Sequence, residues 1–269
     1  MEDYQLQAVC PCNGPVGLIV GFSLDQFSEI LKVRDAAGKP YLLIGGQAVN
    51  YWAERYLATE PELVALQPFT SADIDFKGNA KDVRRIAERL ALKPGYLPKV
   101  AMTALAGVIP LQIGGQPSSI EIVRRVPGVS SNVDKLAIEA KCEDNNIRVL
   151  DPVSLLASKL ELVATVRQAR RNDIPHLKIL VPCVRAFLGE LLQQVENKNI
   201  PARNWLTAAN QVLKLTGDHR AEKIGKKHQI NWREILPVSA IAKSHDEKIT
   251  RFRNQRQEQS SKKPEGVSI

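Results

Sequence analysis

Asp73-Ile74-Asp75-Phe76 is the segment whose residue types and spacing carry the clearest chemistry. Residues i and i+2 of a strand face the same side, so the two carboxylates would stand next to each other while Ile74 and Phe76 tie the other face into a core. Two neighbouring negative charges repel, which is costly unless a cation lies between them. A hard divalent ion such as Mg²⁺ (or Mn²⁺) suits such a pair, because it takes oxygen ligands and keeps positions open for phosphate oxygens. A solvated edge strand that carries two Asp is the alternative that this pattern alone leaves open.

Two further features bear on that choice. Ile44-Gly45-Gly46-Gln47-Ala48 follows an apolar run and opens a helical pattern. Glycine lets the backbone approach a phosphate closely, and a helix N-terminus offers free N–H groups and the positive end of its dipole. An ordinary strand-to-helix turn has the same composition, and G-x-G-x-x-G is absent, so this is not a dinucleotide fingerprint. Glu121 stands between Ile120 and Ile122 on another alternating segment. If that strand neighbours the first, Glu121 completes a carboxylate triad able to hold two metals about 3.5–4 Å apart.

These residues need particular elements to position them. Ser23-Leu24-Asp25 starts a helix that Gly38-Lys39-Pro40 ends. Tyr41–Ile44 reads as a buried strand, Ala48–Leu57 as a helix, Ala72–Phe76 as a strand and Lys81–Leu92 as an amphipathic helix. Strands are expected at 17–21, Val100–Leu105, Val108–Ile113, Ser119–Arg124 and Ile147–Leu150. From Asp151-Pro152, an N-cap followed by a first-turn proline, the texture is helical. Further helices are expected at 173–196, 202–216, 219–228, 231–242 and 245–257. The fold class is therefore α/β (α+β): a small mixed-sheet core over 1–150, a helical module over 151–256, and a polar, disordered tail over 257–269.

Composition narrows the class of protein. The chain has 269 residues, 44% hydrophobic and 25% charged, which excludes a wholly disordered or fibrous chain. No apolar run reaches the roughly 18 residues of a membrane span, and the acidic start Met1-Glu2-Asp3 is unlike a secretory signal. Cys10, Cys12, Cys142 and Cys183 lack the spacing of zinc or redox sites and read as plain cytosolic thiols, so a cytoplasmic protein is expected. Residues 1–150 carry 16 Lys/Arg against 17 Asp/Glu, whereas the remainder carries 21 against 12. The basic excess thus lies wholly in the C-terminal part, where a one-sided positive field attracts polyanions. His176, His219, His228 and His245 have no metal-ligand spacing and are assigned surface or core roles. Aromatic residues make up 5% of the chain, too few for a base-stacking platform.

The order of motifs resembles the nucleotidyltransferase superfamily that includes DNA polymerase β. In it a strand, a Gly-Gly or Gly-Ser turn and a helix precede a strand bearing D-x-D, and a third carboxylate follows on a later strand. Here Gly45-Gly46, Asp73, Asp75 and Glu121 match, with Gly46 where Ser is frequent and Glu where Asp is common. Ser71 matches a hydroxyl often found two positions before the first Asp. Arg148 to Leu160, followed by Arg167, Arg170, Arg171, Asn172 and Asp173, is similar to the AbiE-type nucleotidyltransferases of abortive-infection and toxin–antitoxin systems. There a helix supplies a Lys, matched by Lys159, and an Arg-Lys-Asp-like cluster follows, matched at Asp173, with Asn172 in place of the usual basic residue. The resemblance covers roughly residues 25–180.

It implies a nucleotidyltransferase core with a helical module, Mg²⁺ on Asp73, Asp75 and Glu121, and an NTP as substrate. Gly45, Gly46, Ser71, Lys159, Arg167, Arg170 and Arg171 are the expected nucleotide contacts, and Asp173 the fourth acidic residue of the site. Asp173 also fits an N-cap for the helix entered at Ile174-Pro175. The implied reaction moves an NMP to a hydroxyl of RNA, tRNA included, or of protein, within a toxin–antitoxin or phage-defence pair. Two alternatives stay open: a nucleotide- or RNA-binding protein of the same fold without transfer activity, and the neutralising partner, toxin or antitoxin, of such a pair.

Overall fold

A computed structural model describes residues 21–96, 103–130, 132–169 and 171–262. The expected strand at 17–21 and the start of the one at Val100–Leu105 lie largely outside these residues, as do Cys10 and Cys12. The first helical segment is short, a 3₁₀ turn at Leu24–Phe27 running into α1 (Ser28–Leu31). It stops well before the predicted end at Gly38. Arg34 donates to the Leu31 carbonyl, and Asp35 accepts from the Ala37 and Lys39 N–H groups. These bonds satisfy the backbone in a turn where a helix would have continued.

Strand β1 (Leu42–Ile44) is fully buried and runs straight into α2 (Gly45–Tyr56). Strand β2 (Asp73–Lys77) alternates half-buried and buried residues, with Ile74 and Phe76 inward as their period demands. Next come α3 (Ala80–Arg89), capped by Asn79 and Asp82, and the hairpin of β3 (Leu105–Ile113) and β4 (Gln116–Val123). A second hairpin pairs β5 (Ala137–Cys142) with β6 (Asn145–Leu150). The six strands form one mixed sheet in the order β3-β4-β2-β1-β6-β5. Strands β2 and β4 are parallel, as are β1 and β6, whereas β1 and β2 are antiparallel.

The helical part follows without a break in the core. Asp151 caps α4 (Pro152–Thr165) by accepting from the Ser154 N–H. Then come α5 (Asp173–Glu196), α6 (Ala202–Thr216), α7 (His219–His228), α8 (Val238–Lys243) and α9 (Glu247–Lys262). Pro237 splits the predicted helix 231–242 into a 3₁₀ turn and α8, since proline disfavours helix at the residue before it. Helix α9 extends to Lys262, into the stretch where composition predicts a disordered tail.

One apolar core joins the sheet residues Leu43, Ile74, Ile120 and Val149 to Leu155, Leu156, Leu177 and Leu180 of α4 and α5. It crosses position 150, where the sequence texture changes. Trp52 of α2 is buried there, and its indole N–H donates to the Leu150 carbonyl at 2.8 Å. A smaller core gathers Trp205, Leu192, Val195, Ile249 and Phe252. Among the described residues no helix is long and apolar enough to cross a membrane.

Candidate active site

Strand register brings the acidic residues together. Ile44 pairs with Asp75 across β1 and β2, and Asp75 pairs with Glu121 across β2 and β4. Glu121, Asp75 and the β1–α2 junction therefore form one row across three neighbouring strands, with Asp73 two residues along on the same face. The condition set by the sequence, that the strand of Glu121 neighbour the D-x-D strand, is met.

The glycine pair is demanded by what packs on it. Gly45 has φ +68°, and a Cβ there would stand 1.9 Å from Asp75 Oδ2. A Cβ on Gly46 would stand 2.4 Å from Ser71 Oγ and 3.0 Å from His176 Cε1. The Ser71 hydroxyl thus occupies the space that a side chain at 46 would need. It donates to Asp73 Oδ1 at 3.0 Å, fixing that carboxylate.

Burial holds the Asp75 carboxyl well above the usual carboxylate range, and the charges of Asp73 and Glu121 raise it further. Lys159 and the Gly46 backbone N–H, which Asp75 accepts, oppose the shift without cancelling it. Glu121 is pushed up to about 7 by burial and then by Asp73, with Arg171 opposing. Such crowding of acidic groups is what a cation would relieve.

The facing wall is basic. Lys159 of α4 is 5% exposed and donates to Asp173 Oδ1 at 2.8 Å. Arg171 Nε donates to Asp173 Oδ2 at 2.6 Å. Burial pushes the Asp173 carboxyl up, but Lys159 and Arg171 outweigh it and the net shift is downward. Asp173 is the first residue of α5 and does not cap it; Asn172 holds the N-cap position without a side-chain bond. The capping alternative for Asp173 is therefore replaced by an ion-pair role.

Together these groups line a cleft of about 370 Å³, with Val123, Val126 and Leu162 as apolar surface. Gly45, Gly46, Ser71, Asp73, Asp75, Glu121, Lys159, Arg171 and Asp173 all face it. Arg167 does not. Helix α4 ends at Thr165, Gln168 Nε2 donates to the Leu162 and Val166 carbonyls, and the turn leaves Arg167 exposed off the cleft. Arg170 lies outside the described residues.

Sequence reasoning missed His176. It lies on α5 three residues after Asp173, hence on the same helix face, and that spacing was the available signal. It lines the cleft at 4% exposure, and its Nδ1 has no hydrogen-bond partner among the described residues. Burial and then Lys159 push its pKa down to about 3, with Asp173 opposing, so the imidazole is neutral at physiological pH.

Among the described residues, no three of His, Cys, Asp and Glu converge on a single metal position. Two of the carboxylates have their own partner: Ser71 holds Asp73, and the Gly46 N–H holds Asp75. The donor set still fits Mg²⁺, which is typically held by one or two carboxylates, with phosphates and water completing its shell.

A second cavity of about 600 Å³ lies behind α4. Ser158, Lys159 and Leu162 face the first cleft, whereas Ala157, Leu160, Glu161 and Ala164 face the second. The loop after β4 divides likewise: Val126 and Pro127 line one cavity, Gly128, Val129 and Ser130 the other.

No family model matches the chain, and no curated protein matches it. Among solved structures it is similar to the crystal structure of an antigenic nucleotidyltransferase-like protein from Paracoccidioides brasiliensis. That protein is 11% identical, and the match covers 79% of this chain and 96% of that one with a TM-score of 0.41.

Proposed function

We propose that the protein is a nucleotidyltransferase that moves an NMP from an NTP to a hydroxyl of RNA, with tRNA the first acceptor to test, or of protein, breaking the α–β phosphoanhydride bond and releasing pyrophosphate. The observation that carries this reading is the row Glu121–Asp75–Gly45 across three strands, with Asp73 beside it and Lys159 and Arg171 facing it. Asp73 and Asp75 are the residues to hold Mg²⁺ or Mn²⁺, with Glu121 as a further ligand. When bound, the metal neutralises charge on the phosphates.

The chain's own residues do the rest. The α2 N-terminus at Gly45-Gly46 lines the cleft, where the positive end of the helix dipole favours phosphate while the Gly46 N–H holds Asp75. Ser71 keeps Asp73 in one orientation. Lys159 supplies a fixed positive charge to the triphosphate, with Asp173 holding its ammonium in place. Glu121 either completes the metal's ligands or, left free of the metal, takes the proton of the attacking hydroxyl. Positioning and charge then supply most of the catalysis of an in-line phosphoryl displacement. The implied setting, a toxin–antitoxin or phage-defence pair, belongs to this reading through the sequence resemblance.

The experiment incubates the protein with labelled NTPs, Mg²⁺ and total tRNA. Label should enter RNA with the wild type and fall by at least about 100-fold with Asp73→Asn or Asp75→Asn. A second reading, binding without transfer, rests on the two departures from the resembled pattern, Gly46 where Ser is frequent and Glu121 where Asp is common. NTP binding in Mg²⁺ with no transfer to any RNA or protein fraction would establish it in place of the first.

A further inference from the structure

Helix α7 carries a one-sided set of cations that the cleft does not use. Ala221 and Gly225 face inward, and Trp232 Nε1 lies 2.5 Å from where a Cβ on Gly225 would stand. Lys223, Lys226 and Lys227 occupy the opposite, exposed side, three and four residues apart. Neighbours at that spacing repel, so the arrangement is unfavourable for the isolated helix. The dipole at the helix C-terminus favours Lys226 and Lys227, but Lys223 sits in the middle of the helix and gains nothing from it.

Lys223, Lys226 and Lys227 form no ion pair among the described residues, whereas Arg220 is taken up by Glu161 and Asp218. The field extends to α5. Burial comes first, then Lys227 and Lys178, in holding His228 below its ordinary value. Lys214, exposed at the end of α6, lines the second cavity with Ala221 and Ile224, on the inner side of α7. Cations at such spacing, held on a rigid helix and left unpaired, match the repeated charges of a phosphate backbone.

We propose that the exposed face of α7, with Lys178 at its margin, binds the phosphate backbone of an RNA. The surface lies on the far side of α4 from the cleft, so it is a separate anchor and does not depend on transfer chemistry. An RNA long enough to lie on both sides of α4 would be held at α7 while its end enters the cleft. A mononucleotide or a short oligonucleotide would not reach both.

The test measures binding of total tRNA and of a five-nucleotide RNA to the full chain across a salt series, without NTP. The comparison proteins are Lys223→Gln/Lys226→Gln/Lys227→Gln and, as a control of equal charge loss, Lys243→Gln/Lys248→Gln/Arg251→Gln. The α7 variant should bind tRNA roughly tenfold more weakly at 0.1 M salt, with a salt slope shallower by about 2. The control should bind within about twofold of the wild type, and circular dichroism should show both folded. An unchanged slope for the α7 variant overturns the proposal, as does an equal loss in the control, which would show only a diffuse field. Equal competition by polyglutamate would replace RNA with an acidic protein as the partner. RNA binding through α7 in a protein that transfers nothing would leave this inference standing while removing the proposed activity.

Discussion

Lys159 and Asp173 form a buried pair, 7% and 3% exposed at their side chains, that Arg171 joins from the surface. A buried pair is expensive to break from one side, because the remaining charge loses its partner in a poorly solvated place. Lys159→Met is therefore expected to cost about 3 kcal/mol, read by urea unfolding of the metal-free protein. Asp75→Asn works in the opposite direction. It removes one charge from a group of three carboxylates, so the metal-free melting temperature should stay level or rise. A fall as large as that of Lys159→Met would mark Asp75 as structural.

His176 gives the pH dependence at this scale. Its folded-state pKa, about 3, lies below the ordinary value, so the native fold favours the neutral ring. The stability linked to it is present above the unfolded value near 6.5 and is lost as pH falls toward 3. Between pH 7 and pH 5 the wild type should lose roughly 2 kcal/mol more than His176→Gln. Parallel stability curves for the two proteins would contradict the neutral, buried assignment.

Among the elements, the β1–α2 turn is the most constrained. Gly45→Ala meets a positive φ and a carboxylate 1.9 Å from the new Cβ. It should lower stability by about 2 kcal/mol and displace Asp75, weakening Mg²⁺ binding measured by calorimetry. Unaltered metal affinity would separate the turn from the site. This turn, β2 and β4 were legible because each carries a local signal: glycine after an apolar run, or alternation with Asp or Glu on one side. Strand β5 was not, although Ile138–Cys142 alternates apolar and charged residues: Ala, Glu and Lys are poor strand formers, and this edge strand buries none of its side chains fully. The reach of the first helix was misread because side-chain bonds from Arg34 and Asp35 end it, and these compete with helix without changing the apolar pattern. Arg167 was placed in the site by sequence proximity to Lys159, but α4 ends between them. That Asp173 and Lys159 pair depends on how α4 and α5 meet, which no local pattern records.

Over the whole molecule, charge and cavities are arranged about α4. The acidic wall of the cleft belongs to the sheet, and the basic wall to α4 and the start of α5. The positive surface of α7 lies beyond, in keeping with the basic excess after residue 150. Charge counts place the excess after residue 150 but not on α7, because a count has no direction.

Helix α4 is also a partition between two voids, and this limits how the sequence can vary. Across Ala157 to Ala164, Ser158, Lys159 and Leu162 shape one cavity, and Ala157, Leu160, Glu161 and Ala164 the other. Widening either cavity by rotating the helix narrows its neighbour, so the two volumes cannot be tuned apart from within α4. A saturation library over these eight positions, sorted for folded protein and for RNA and NTP binding, should retain fewer alleles than one over the exposed positions of α9. The informational load of the chain would then be heaviest in a wall, and the residues that line the cavities elsewhere would be freer to drift toward new ligands.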